Sequence, residues 1–145
     1  MYKIRQTTNK TLVEVLHLKV FGPKVRFDGK VFWIVSDNRG KPVGYATCRA
    51  STIKGWAFLA LSGILPEARG HRLQRRLIKV RERWARKNNF KGCLSYVVNW
   101  NSPSLINLLK LGYTIYDPCD FKPKRYIKRD GYVYVQHAFK KLPEA

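Results

Sequence analysis

Acidic side chains are scarce in this chain: nine Asp and Glu stand against 29 Lys and Arg, for a formal net charge of +20. An excess of that size goes well past what solubility needs and marks a protein that meets polyanions, whether nucleic acid, a ribosome, an anionic membrane or an acidic protein face. Cysteine is sparser still. Cys48, Cys93 and Cys119 are odd in number and widely spaced, which matches neither a disulfide framework nor a zinc-ligand pattern and points to a reducing compartment with no bound metal. No apolar run is long enough to span a bilayer and no leader-like N-terminus is seen, so the expected setting is the cytoplasm, without a membrane partner. Internal repeats and low-complexity tracts are also lacking. At 145 residues the chain suits a single domain, 1–145, whose core needs no cross-links.

What the chain does have is a strand, a basic turn and an amphipathic helix in immediate succession. Trp56 to Leu65 reads as a buried strand, and Leu73, Leu77, Val80 and Trp84 then recur at helical spacing on one face of a helix from about Gly70 to Asn88. Between them Arg69, His71, Arg72, Arg75 and Arg76 crowd the helix start, where the macrodipole disfavours cations. The arrangement makes sense if an anion docks there, and a phosphate is the expected one. An ordinary strand-to-helix loop with surface arginines is the plainer alternative. Arg75, Arg76, Lys79, Arg83 and Arg86 extend the charge along the side opposite the apolar face, either as a solvated surface or as a track for the phosphates of a nucleic-acid partner.

The remaining elements follow from periodicity and punctuation. Tyr2 to Thr8 is a first strand, Thr8-Asn9 cap a short helix with Leu12, Val15, Leu16 and Val20 on one side, and Gly22-Pro23 ends it. Val31 to Val35 and Pro42 to Cys48 form a hairpin about the turn Asp37-Asn38-Arg39-Gly40. Cys93 to Val98 is a further apolar strand, Asn101-Ser102-Pro103-Ser104 opens a helix through Leu105, Leu108 and Leu109 that stops at Gly112, and late strands are expected near Tyr113–Tyr116 and Gly131–Val135. Lys122, Lys124, Arg125, Lys128 and Arg129 lie in the intervening Pro-rich loop, interleaved with Phe121 and Tyr126. Cations among aromatics suit looped or single-stranded RNA, and equally suit plain anchoring of a loop.

The order β-α-β-β-β-α-β-α-β-β is that of a mixed α/β domain with a mostly antiparallel sheet and helices on both faces. Two motifs in that order, Ile64-Leu65-Pro66 with Arg69-Gly70-His71-Arg72-Leu73-Gln74, and Asn101 and Ser104 with Leu111-Gly112-Tyr113, resemble those of the GNAT superfamily of acyl-CoA N-acyltransferases. The resemblance covers nearly the whole chain. It implies acetyl-CoA as cofactor, with Ile64 offering its backbone to the pantetheine arm, Arg69, Gly70, His71, Arg72, Leu73 and Gln74 facing the pyrophosphate, and Asn101 and Ser104 flanking it from the other side. Three positions depart from the family pattern. Arg72 stands where glycine is usual, which alters the backbone approach to the phosphates while adding a guanidinium of its own. Gln74 replaces a glycine or alanine, and Leu108 replaces the tyrosine that protonates the departing thiolate in many relatives.

Direct acyl transfer needs a neutral amine, a contact for the carbonyl oxygen and a proton for the sulfur. The strand Trp56–Leu65 carries no Asp or Glu to act as base, Glu67 suits a turn or salt bridge, and His17, His71 and His137 form no triad pattern. Tyr113 and Tyr116 are the candidates for the displaced acid. The expected activity is acetyl transfer to a primary amine of a protein or RNA-linked acceptor, helped by proximity more than by named acid-base groups. The acceptor would lie on an acidic macromolecule, such as a ribosome, a polymerase, a charged tRNA or DNA, in the host cytoplasm if the chain is phage-encoded. A nucleic-acid-binding module that has lost turnover, or a nucleobase-modifying acyltransferase, are the rival readings.

Overall fold

The computed structural model describes residues 1–98, 102–116 and 135–143. Its elements are β1 (Lys3–Thr7), α1 (Lys10–Phe21), β2 (Val31–Ser36), β3 (Pro42–Ala50), β4 (Trp56–Ile64), a 3-10 turn (Pro66–Ala68), α2 (Leu73–Lys87), β5 (Gly92–Val98), α3 (Ser102–Lys110), β6 (Thr114–Tyr116) and β7 (Val135–Lys141). That is the order the sequence leads one to expect. The strands form one sheet, β1-β2-β3-β4-β5-β7-β6, parallel at β4–β5 and antiparallel at β1–β2, β2–β3, β5–β7 and β6–β7. Packing divides the chain into two compact units, Met1–Arg49 with Leu59–Arg83 and Ala50–Phe58 with Trp84–Ala145, so that β4 begins in the second and ends in the first.

In the first unit the Asn9 side chain accepts from Leu12 N–H at 3.1 Å and starts α1, while Gly22 closes it by donating to Leu18 O at 2.8 Å. The β2–β3 hairpin turns on Asp37, whose Oδ1 accepts from the Arg39 and Lys41 N–H groups, both at 2.9 Å. Val13, Leu16, Phe32, Ile34, Tyr45 and Leu65 make the core, with Leu12, Val20, Phe27 and Leu61 packed against it. The face of α1 differs from its apolar pattern: Val13, Leu16 and His17 are buried and Val15 is exposed. His17 turns inward because both ring nitrogens are matched. Nε2 donates to the Val25 carbonyl at 2.7 Å, which leaves Nδ1 to accept the Tyr45 hydroxyl at 2.6 Å. Burial pushes the Tyr45 phenol well above its ordinary range, so it stays a donor.

The second unit is built on the parallel register Trp56–Gly92, Ala57–Cys93 and Phe58–Leu94, followed by the antiparallel pairing of β5 with β7 and of β7 with β6. A side chain at Gly92 would run into the Trp56 ring, so glycine is required by the closeness of that strand pair. Cys93, Leu94, Val97, Leu108, Tyr113 and Ala138 fill its interior. Leu108, in the place of the family tyrosine, is a core residue of α3. β7 spans Val135–Lys141 and pairs along the full length of β5, while Gly131–Tyr134 of the strand expected at Gly131–Val135 lie outside the described residues. Cys48 and Cys93 are buried and in no disulfide, and desolvation raises Cys48 to about 11. Cys119 lies outside the described residues, among which no group of His, Cys, Asp or Glu could hold a metal.

Candidate functional site

Strand β4 delivers the chain to the basic turn through a series of backbone and side-chain hydrogen bonds. Leu65 N–H donates to Val43 O at 2.8 Å, and buried Leu65 and Ala68 anchor the 3-10 turn while Pro66 and Glu67 face solvent. The Arg69 Nε donates to the Ile64 carbonyl at 3.1 Å, folding that guanidinium back over the strand end. The Ser62 hydroxyl donates to Gln74 Oε1 at 2.7 Å, which ties β4 to the first turn of α2. Gln74, a departure from the family's small residue, therefore has a structural partner. Glu67 is an ion-pair residue, 2.8 Å from Lys41 Nζ; that hydrogen bond holds its carboxyl below the usual range and raises Lys41.

The exposed arc of the turn is Arg69–Arg72, between buried Ala68 and buried Leu73. Gly70 has φ +88°, and a Cβ there would meet nothing within 4 Å, so the demand is for a left-handed backbone rather than for space. Arg72 has φ 58°, the left-handed conformation that glycine adopts without strain. Arg72 thus takes a left-handed conformation and places a cation in the turn. Its location is exposed and immediately before Leu73, the first residue of α2, whose first turn contains no acidic residue. The leading N–H groups of a helix lack intrahelical partners, and together with the dipole they attract an anion.

Two further side chains at the turn hold it to the N-terminal segment. His71 packs against Tyr2, ring centroids 5.0 Å apart and planes tilted by 49°, and Arg76 donates to the Tyr2 carbonyl at 3.2 Å, which pins the segment leading into β1 against the start of α2. Further along the helix, the buried residues are Leu73, Leu77, Ile78, Arg81, Glu82 and Ala85, while Val80 and Trp84 are only half-buried. A reading by hydrophobicity alone misses Arg81 because a charged residue gives no apolar signal. Arg76, Lys79, Arg83 and Arg86 are exposed at successive spacings of three and four residues and so share one face, about 15 Å long at the rise of a helix. Arg75 is half-buried and stands apart from that stripe.

Of the second group, Ser104 is half-buried on α3 and Tyr113 is 3% exposed, with Lys140 Nζ 5.7 Å from its ring centroid. Tyr116 ends β6, opposite His137 in the register. Asn101, Lys124, Arg125, Lys128 and Arg129 lie outside the described residues.

Comparison with known proteins agrees with this geometry. The model of the acetyltransferase (GNAT) family matches residues 1–113. No curated protein sequence matches significantly. Among solved structures, the chain is similar to one of the NatC complex bound to Gag peptide and CoA (TM-score 0.77, 10% identity, covering 98% of this chain and 99% of that one). It is also similar to the ribosomal-protein-S18-alanine N-acetyltransferase from Escherichia coli (0.73, 16%, 100% and 96%) and to nourseothricin acetyltransferase (0.72, 16%, 98% and 99%). At these identities the likeness is one of fold, and it is the family match across most of the length that carries the assignment: the chain belongs to the acetyltransferase (GNAT) family and is an acetyl-CoA-dependent N-acyltransferase.

Proposed function

We propose that this protein transfers the acetyl group of acetyl-CoA directly to a primary amine of a protein or RNA-linked acceptor borne on an acidic macromolecule. The observation that supports the acceptor class is the exposed stripe Arg76, Lys79, Arg83 and Arg86, which leads away from the cofactor turn on a chain of net charge +20. Such a stripe attracts and orients a polyanion, with affinity that falls steeply as salt rises.

The residues of the turn fit the cofactor. Gly70 is unobstructed and left-handed, Arg72 keeps the same backbone sense, and no carboxylate in the first turn of α2 repels a pyrophosphate. Gly70 to Gln74 would hold the pyrophosphate by backbone N–H groups, with the Arg72 guanidinium as an added phosphate contact, and Ile64 would meet the pantetheine arm. Arg69 already donates to the Ile64 carbonyl, so the arm would share that oxygen's second lone pair or bind the strand through N–H groups. Ser104 on α3 and Asn101, which lies outside the described residues, are proposed to flank the cofactor as the family resemblance implies. When bound, acetyl-CoA supplies a thioester whose acyl carbon the neutral amine attacks; the new C–N bond replaces C–S, the amine gives up a proton and the thiolate takes one. Tyr113 and Tyr116 are the two residues proposed to give that proton, since Leu108 has none to give. Much of the acceleration would come from holding the two reactants together.

The experiment is a calorimetric titration with acetyl-CoA at moderate salt, with ATP and a short oligonucleotide as controls, followed by mass analysis of tRNA, ribosomal protein and DNA incubated with both. Selective one-site binding of acetyl-CoA, abolished in Gly70→Val, together with an acetyl mass shift on tRNA or protein, is the expected result. Steep salt-dependent oligonucleotide binding with acetyl-CoA no tighter than ATP and no acetylated product would instead assign the fold to nucleic-acid binding. Loss of about a hundredfold in turnover in Tyr113→Phe or Tyr116→Phe would identify the acid, and unchanged rates in both would remove them.

A further inference from the structure

Arg81 sits in the buried face of α2, 3% exposed. A guanidinium keeps its charge throughout the range in which proteins fold, so its burial is unfavourable unless its donors are matched. Backbone carbonyls match them. Nε donates to Leu77 O at 3.1 Å, and Nη1 reaches Thr47 O on β3 and Leu61 O on β4, both at 3.3 Å. At the same place Leu61 N–H donates to Thr47 Oγ1 at 3.1 Å, and that hydroxyl donates onward to Asp28 O at 2.6 Å. Side chains therefore hold β3 and β4 together where a regular ladder uses backbone alone.

The consequence lies at the end of β4. Leu61 begins the last four residues of the strand, and Ser62, next in line, is tied to Gln74. Gln74 and Arg81 are seven residues apart, two helical turns, and so lie on the same face of α2. One rigid helix thus grips the strand exit at two successive residues, Leu61 through Arg81 and Ser62 through Gln74. That grip fixes the strand exit relative to the helix's own N-terminus.

We propose that Arg81 is a positioning residue that sets the spacing between the β4 backbone, where the pantetheine arm lies, and the α2 N-terminus, where the pyrophosphate lies. The inference rests on the placement of the cofactor given above. A ligand that spans both places needs the spacing; a ligand confined to the helix end does not.

The test is Arg81→Met, which keeps a long side chain in the place while removing the donors to Thr47 O and Leu61 O. Wild type and variant are titrated with acetyl-CoA and with 3′-phospho-ADP, which carries the phosphates but not the arm, and their melting temperatures are compared. The expected result is a folded variant that binds acetyl-CoA about tenfold more weakly, by lost pre-organisation, and 3′-phospho-ADP as before. Unchanged acetyl-CoA affinity in the folded variant overturns the proposal, as does an equal loss for both ligands, which marks a general loosening of the fold. If Arg81→Met does not fold, Arg81→Gln decides. Its shorter amide keeps a donor in the helix face but cannot reach both Thr47 O and Leu61 O, and it should produce the same split between ligands; no split overturns the proposal. Wild-type protein that binds acetyl-CoA no better than 3′-phospho-ADP would count against the placement of the arm itself, a separate failure.

Discussion

The two packing units are stabilised in different ways. Among the described residues, every buried polar or charged side chain, His17, Thr47, Arg81 and Glu82, belongs to the first unit, whereas the second is filled by groups such as Leu94, Cys93, Val97 and Leu108. The apolar interior gains from area alone and tolerates changes in proportion to volume. The polar interior depends on matched partners: His17 needs both Val25 O and the Tyr45 hydroxyl, and Thr47 serves Leu61 and Asp28 together. Directional bonds fix a backbone in one conformation, and the unit that contains the basic turn is the one that uses them.

Substitutions in the two units should therefore fail for different reasons. The largest effect is expected in the apolar one: Leu94→Ala, at a fully buried site, should lower stability by about 2–5 kcal/mol in denaturant unfolding through the cavity it leaves. In the polar one, Tyr45→Phe removes a single oxygen and should still lose about 1–3 kcal/mol, because His17 Nδ1 is left buried without a donor. Should the two variants rank the other way, the contrast between the units would not hold. Arg72→Gly separates backbone from side chain at the turn. Relief of left-handed strain and the greater freedom of the unfolded chain nearly offset, so stability should hardly change, while acetyl-CoA affinity falls about tenfold with the lost guanidinium. The smallest effect concerns the exposed Lys41–Glu67 pair. Glu67 is held below its ordinary value of 4.5, so its contribution is present above that pH and disappears as pH falls through the depressed value. Melting curves of Glu67→Gln should lie slightly below wild type near neutral pH and converge with it in acid.

Much of this was legible from residues alone. Hydrophobic periodicity located α1, the β2–β3 hairpin, β4, α2, β5 and α3, since burial of one face leaves a repeating signature whatever lies opposite. Glycine and asparagine marked the helix ends, because caps are local chemistry. The basic turn was visible as a cluster of cations at a helix start. What could not be read was anything that depends on a partner distant in sequence. His17 and Arg81 look like surface residues until Tyr45, Thr47 and Leu61 are brought beside them, and Val15, Val80 and Trp84 look buried until those polar groups take the inward positions. The pairing of β7 with β5 has the same origin, since a strand's partner and register are set by contacts distant in sequence and not by its own β-propensity.

By itself, then, the sequence determined the succession of elements, the basic character of the chain and its resemblance to the acetyltransferase (GNAT) family, all of which rest on local pattern and composition. Only the tertiary structure decided that Arg72 keeps a left-handed backbone, that Arg69 and Gln74 are tied to β4, and that a buried arginine grips the strand above the turn. A hydrogen bond across twenty or more residues leaves no periodic trace in a chain, because the sequence records what each residue is and the fold alone decides what it meets.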